Sequence, residues 1–329
     1  MLRILHDTNY DFIRWWKVMA AITIAFIVLG LGSLAIKPLN LSIEFTGGTL
    51  VQLEFTQPPD VGVIRSTLDQ AGVHGAEIQQ FGTNREFTVR AQNREAVSAQ
   101  SQGAESISVT IEQVLKRRFG ESNVKVMRTE AVGPRVGEEL KRGAIIAILL
   151  SFLITLVYLS IRFEWRFATA AVIATSHDVF TTIAFLKLMH LEISLTVVAG
   201  LLTVLGYSLN DTIIIFDRVR ENLRKGRKET LYETLNRSIN ETLPRSILTH
   251  ATVLAATLSL LFFAGEVIRP FAWVMAFGII TGTFSSIYVA APVLLWIERK
   301  WPRQTGARQT SSTATPTSRT RRSTATATR

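Results

Sequence analysis

The sequence contains no cysteine, which excludes disulfides, thiolate zinc sites and thiol nucleophiles. It also lacks a G-x-x-x-x-G-K-[ST] loop, so any energy-driven role must draw on an ion gradient or on a partner rather than on a bound nucleotide. Acidic residues fall short of basic ones, 26 against 36, for a net charge of +10. In a soluble domain that surplus would suggest nucleic acid. Here the basic residues gather beside apolar runs, as in cytoplasmic loops of membrane proteins, and no nucleic-acid partner is expected. What the chain has in quantity is apolar surface. Hydrophobic residues make up 47% of it, the mean hydropathy is +0.25, and five or six runs approach the roughly 20 residues needed to cross a bilayer.

These runs predict a polytopic α-helical membrane protein with spans at 18–36, 142–161, 165–188, 191–216, 246–264 and 270–297. The first run follows Arg3, Arg14 and Lys17 but is longer than a signal-peptide core and lacks a small-x-small cleavage site, so it reads as a retained span. Between the first two spans lies a polar domain, 37–137. Its patterns run strand (Leu41–Phe55), helix (Val61–Ala71, with Asp60 as N-cap), strand (Glu77–Phe81), strand (Glu86–Arg90), helix (Ile107–Phe119) and strand (Asn123–Thr129). That order predicts an α+β, ferredoxin-like domain.

Lys and Arg counts in the short loops set the orientation. Arg162, Arg166, Arg218, Arg220, Arg224, Lys225, Arg227, Lys228, Arg299, Lys300 and Arg303 lie on one side, against Lys187 and Arg269 on the other. The basic side is read as cytoplasmic. The N-terminal 1–17, the basic loop 217–245 and the tail 298–329 then lie inside, and the 37–137 domain is periplasmic. Within the basic loop, Leu231, Leu235, Ile239 and Leu243 recur every four residues and predict an amphipathic cytoplasmic helix lying on the membrane surface or a partner. The tail, nearly all Thr, Ser, Ala and Arg, reads as disordered and solvated, or as lying on anionic lipid or RNA.

Ionisable residues inside apolar spans are the informative ones, because each costs about 2.5–3.5 kcal/mol to bury even on mild insertion scales. Asp178 lies mid-span beside His177, and Asp211 lies beside Asn210 in the fourth span. Arg245, after Pro244, opens the fifth. A carboxylate and a guanidinium at similar depth on adjacent spans would offset each other's burial. Two readings follow: a pair switched by protonation, as in a proton-coupled motor, or a static pair locking two helices. Asp178 reads as a polar anchor or as part of a proton relay. His177 has no second ligand at metal spacing, so no metal site is expected. Gly200, Gly206, Gly278 and Gly282 permit close helix packing.

Three stretches carry a resemblance. They are Ile43-Glu44-Phe45-Thr46-Gly47-Gly48-Thr49, then Gly206 to Ile213 running on through Phe216-Asp217-Arg218-Val219-Arg220-Glu221-Asn222, and Asn236 to Ser246. Together they resemble the SecF family of protein-export membrane proteins, over about residues 10–300. The resemblance implies half of an RND-superfamily transporter in a bacterial inner (plasma) membrane. It implies work with SecD, the SecYEG channel, unfolded secretory polypeptides, and YidC and YajC, using the proton-motive force in late steps of export. It places Asp211 and Arg245 in the proton path; Asp178 and Asn210 are read from their position inside apolar spans as secondary intramembrane polar residues. It makes Glu44, Phe45, Gly47 and Gly48 a turn motif of the periplasmic domain. This chain departs from the family in Glu44, where Asp is usual, and in Pro244, where Ser is frequent; the proline would sharpen the start of the fifth span. No cofactor is implied. No nucleophile–base–orienter set can be assembled, so no hydrolytic activity is expected. The competing readings are a static scaffold for membrane-insertion factors and half of an RND-like exporter of small molecules or lipids.

Overall fold

The computed structural model describes residues 8–91, 102–225, 229–265 and 267–302. Most of the 298–329 tail therefore lies outside the described residues. Among the described residues, six helical stretches are long and apolar enough to cross a membrane: Ile13–Ala35, Pro134–Arg162, Trp165–Leu188, Leu195–Arg224, Leu231–Phe263 and Arg269–Lys300. The chain is a mostly helical, multi-pass membrane protein with one small antiparallel sheet.

The first span is α1 (Trp16–Gly32), followed by a helical turn, α2 (Ile43–Thr46). The polar domain then runs β1 (Gly48–Phe55), α3 (Val61–Gln70), β2 (Glu77–Gln80), β3 (Glu86–Ala91), α4 (Gln102–Phe119) and β4 (Val124–Val132). The sheet order is β2-β3-β1-β4, with every neighbouring pair antiparallel. This is the split βαβ arrangement expected from the element order. Alternation along β1 turns Val51, Leu53 and Phe55 inward, where they meet Ile64, Leu68, Ile111 and Leu115 from the two helices. Asp60 caps α3 by accepting from the Gly62 N–H at 2.7 Å.

One strand expectation is corrected. The chain from Leu41 does not run extended to Phe55, because Ile43–Thr46 winds into α2 and the strand starts only at Gly48. The reversal falls on Gly47 and Gly48, both at positive φ (71° and 127°), a region open to glycine. Gly47 is also packed tightly, since a Cβ there would stand 2.8 Å from Pro134 Cα.

The spans are α5 (Pro134–Arg162), α6 (Trp165–Leu188), α7 (Leu195–Arg224), α8 (Leu231–Phe263), and a last one built of α9 (Arg269–Ser285), a π-helical turn (Ser286–Ala290) and α10 (Ala291–Lys300). Pro292, in the first turn of α10, has no N–H to give to the preceding turn, and a local widening accommodates that loss. Hydropathy marks only the apolar part of a helix, so several bounds move. The second span's helix begins at Pro134 rather than 142. Residues 191–194 are extended, and α7 continues past 216 to Arg224.

The largest change concerns the basic loop. The expected amphipathic helix and the fifth span are one helix, α8, begun by a reciprocal cap between Thr230 and Glu233 and continuing through Pro244. Pro244 does not start the span. The polar residues on the first turns of α8 also have an occupant within the chain. Asn240 Oδ1 accepts from Tyr10 N–H at 2.9 Å, Asn236 Oδ1 accepts from Ile13 N–H at 3.1 Å, and Tyr232 Oη donates to Asp11 at 2.5 Å. That hydrogen bond, with help from Asn236 and the Arg14 backbone, holds the Asp11 carboxyl below its ordinary range.

Helices approach closely where side chains are small. A Cβ on Gly30 would fall 2.4 Å from Ala184 Cβ, and one on Gly278 would fall 2.4 Å from Val204. Gly206 has open space around it and makes no such contact. Gly47→Ala should destabilise the protein by about 1–3 kcal/mol more than Gly72→Ala. Both glycines have positive φ, but Gly72 has nothing within 4 Å of a built Cβ. Thermal unfolding of the two variants in detergent would measure the difference.

Candidate functional site

The domain is tied to the bundle through the turn between α6 and α7. Glu44 Oε2 accepts from the Leu195 N–H at 2.6 Å, in the first turn of α7. A carboxylate there satisfies a free helical donor and suits the positive end of the helix dipole, which accounts for Glu44. The Ser42 N–H donates to the Ile193 carbonyl at 2.9 Å, and Lys187 Nζ donates to the carbonyls of Lys37 and Pro38. Arg90 forms ion pairs with Glu192 and Glu77. Burial pushes the Glu192 carboxyl up, against the lowering effect of Arg90, and nearby Glu44, Glu130 and Glu77 add to the rise. Phe45 is buried at the foot of the same turn.

Inside the bundle, a polar layer joins four helices. Asp178 on α6 has no exposed surface. Its Oδ2 accepts from Ser208 Oγ of α7 at 2.5 Å and from Ser285 Oγ of α9 at 2.7 Å, and its Oδ1 meets His177 Nδ1 at 3.2 Å. One turn along α7, Asp211 is also buried. Its Oδ1 accepts from Ser246 Oγ of α8, while its Oδ2 accepts no hydrogen bond from any described residue. Ser286, beside Ser285 at the start of the π turn, pairs with Thr212 at 2.9 Å. Consecutive serines of the last span thus serve the neighbourhoods of both carboxylates.

The expected Asp211–Arg245 pair is not formed. Arg245 is exposed on α8 and makes no ion pair among the described residues. The cause is helical geometry. Successive residues point about 100° apart, so a helix that offers Ser246 to Asp211 turns Arg245 away. Asn210 is exposed for the same reason, because its neighbour Asp211 faces inward.

Ser208, Ser246, His250, Ser285 and Ser286 were not singled out from the sequence. The available signal is spacing. Ser208 and Asp211 lie three residues apart, and Ser246 and His250 lie four apart, so each pair shares one face of its helix. Among the described residues no group of three or more His, Asp or Glu is placed to hold a metal ion. Replacing Asp178 with Ala would take the acceptor from the Ser208 hydroxyl and from His177 and leave Ser285 only the Gly282 carbonyl. It should lower stability by about 2–5 kcal/mol, and Asp178→Asn, which keeps one acceptor, should lower it less. The yield of folded protein from membranes and its melting temperature would rank the two.

Comparison with known proteins agrees with this architecture. Residues 110–300 match the model for the protein export membrane protein SecD/SecF C-terminal domain, and residues 32–59 match the SecD/SecF GG motif. The protein translocase subunit SecF of Gemmatimonas aurantiaca is 62% identical over 305 residues, covering 92% of this chain and 91% of that protein. The SecF subunit of Vibrio alginolyticus is 43% identical over 289 residues, covering 88% and 90%. The crystal structure of SecDF, a translocon-associated membrane protein from Thermus thermophilus, superposes with a TM-score of 0.80 at 34% identity, over 91% of this chain. A super-membrane-facing form of SecDF gives a TM-score of 0.65 at 36% identity, over 90% of this chain. The chain spans 40% of the length of each of those SecDF chains. Matched along nearly its whole length by SecF subunits, the chain belongs to the SecD/SecF family of protein-export membrane proteins, on its SecF side.

Proposed function

We propose that this chain is the ion-coupling half of a protein-export motor. Paired with a SecD-type half beside a SecYEG-type channel, it uses the proton-motive force of a bacterial inner membrane to draw exported polypeptides across in late steps. The observation that carries this reading is the contrast between the two buried carboxylates. Asp178 is held by three donors and suits a permanent anchor. Asp211 has one hydrogen-bonded oxygen and one free. An unsatisfied acceptor in a buried site costs about 1–3 kcal/mol, and such a cost is retained where the group must gain and lose an ion.

A second observation supports the partner half. Thr203, Asn210 and Asp217 on α7 are exposed at seven-residue intervals, with Gly206 beside them. On α8, Arg245, Thr249 and Thr252 are exposed in a similar stripe. Lipid is a poor neighbour for these groups, whereas a second bundle carrying its own polar residues is a good one. On this reading Arg245 reaches the ion path across that interface, together with a carboxylate of the partner half.

The basic ends of α7 and α10 put Arg218, Arg220, Arg224, Arg299 and Lys300 on one side. That side is taken as cytoplasmic, with the sheet domain in the periplasm, where it meets the emerging chain. On this reading the work is drawn from the gradient.

The test is late-stage translocation into inverted membrane vesicles carrying this chain and its partner half, with and without an imposed proton gradient. Asp211→Asn and Arg245→Met should assemble in normal amounts but bring the ratio of gradient-driven to gradient-free export down to about 1. If Asp211→Asn responds to the gradient as the wild type does, the carboxylate is structural and a scaffold describes the chain better.

A further inference from the structure

Above Asp211, toward the sheet domain, lies a second titratable group that the proposed mechanism does not use. His250 is buried on α8, four residues from Ser246, about 6 Å along the helix. Its Nδ1 lies 2.6 Å from the Ser246 carbonyl. A carbonyl only accepts, so Nδ1 carries the hydrogen, and in the neutral ring Nε2 keeps its lone pair. Nε2 makes no hydrogen bond among the described residues. The ring stands edge-on to Tyr207 at 5.1 Å, and Tyr207 Oη donates to the Thr249 carbonyl at 3.0 Å. Tyr207 is one turn from Asp211 on α7, so Tyr207 and His250 occupy the same level on facing helices.

Ser246 therefore holds both groups. Its hydroxyl binds Asp211 and its carbonyl binds His250. The small network has two open positions, Asp211 Oδ2 and His250 Nε2.

We propose that His250 is a proton relay serving Asp211 from the domain side. This rests on the reading of Asp211 as the coupling carboxylate. In the step, Nε2 binds an incoming proton and the ring becomes imidazolium. Ring and carboxylate are not in direct contact, so the N–H bond breaks as a bridging water takes that proton and gives one of its own to Asp211, forming the O–H bond there, and the ring returns to its neutral form with Nδ1–H still on Ser246. No other bond changes.

The groups facing His250 are few. Tyr207 and Asp211 come from α7, and Arg245 lies on its own helix, turned outward. α9, which packs along α8, has no ionisable residue between Arg269 at its outer end and Ser285. A relay that hands protons to Asp211 should leave its mark on the pH profile of gradient-driven export.

The experiment uses inverted vesicles with the full chain and its partner half, at constant total driving force, while lumenal pH is varied. His250→Asn keeps an amide N–H for the Ser246 carbonyl but has no titratable nitrogen. It should lower the gradient-dependent rate several-fold and flatten the pH profile, with the complex present in normal amount. His250→Gln is the second variant. Wild-type profiles in both variants would overturn the relay and leave His250 as a packing partner of Tyr207. Loss of assembly in both would overturn it as well, by giving the ring a structural role. A gradient response in Asp211→Asn would remove the coupling reading itself, and so distinguishes that failure from a failure of the relay alone.

Discussion

The arrangement of the bundle depends on the cost of placing a carboxylate where lipid and apolar side chains surround it. Asp178 meets that cost with donors from its own helix, from α7 and from the last span. Hydrogen bonds of this kind close at under about 3 Å, so the three helices must touch. Touching helices need small residues at the crossing. Gly282 lies where a Cβ would come 3.0 Å from Ser208 Cβ, and Gly278 lies one turn away against Val204. The glycines and the buried aspartate are therefore parts of one constraint. Neither the packing nor the polar knot would form without the other.

The same helix that carries Ser208 and Asp211 is capped at its far end by Glu44. α7 is thus fastened at its start to the turn that opens the sheet domain and at its middle to the polar layer. The start of α5 is drawn into this joint as well, because Pro134 and Gly137 crowd the turn of Phe45 and Gly47. The double glycine acts less as a hinge than as the thin place where α5, α7 and the domain converge. A bulkier residue there would push the domain away from the helix that carries Ser208 and the candidate ion site.

The fold was legible in the sequence to the extent that it follows from local pattern. Apolar runs of span length, alternation in the strands and the cap at Asp60 are properties of neighbouring residues, and they led to six spans and a ferredoxin-like domain. Helix ends were less legible because hydropathy falls silent where a helix leaves the apolar zone, as at Pro134, Arg224 and Leu231. The turn at Ile43–Thr46 was missed for a related reason: its alternation fits a strand, and only its packing against α5 bends it. At the site, burial cost pointed to Asp178 and Asp211 but could not name their donors. Serines are common in spans and carry no charge to draw notice. Whether Arg245 or Ser246 meets Asp211 depends on the rotation of α8, a tertiary property that no single helix encodes.

That rotation also explains why the chain looks unfinished on one side. A helix of 3.6 residues per turn that commits Ser246 and His250 to the interior must send Arg245, Thr249 and Thr252 outward, just as α7 sends Thr203, Asn210 and Asp217 outward when Ser208 and Asp211 turn in. The polar outer stripe is the necessary counterpart of the polar inner layer only if polar residues occupy both faces, and here they do. In a protein whose remaining surface includes Ile154, Phe262 and Phe263 exposed in the manner of a lipid-facing bundle, a guanidinium and an asparagine at membrane depth would carry an unrelieved burial cost. Another polar protein surface relieves it. The candidate ion site therefore lies one helix thickness from the face proposed for the partner half, and if that half sits there the charge on Asp211 and the seating of the partner would influence each other.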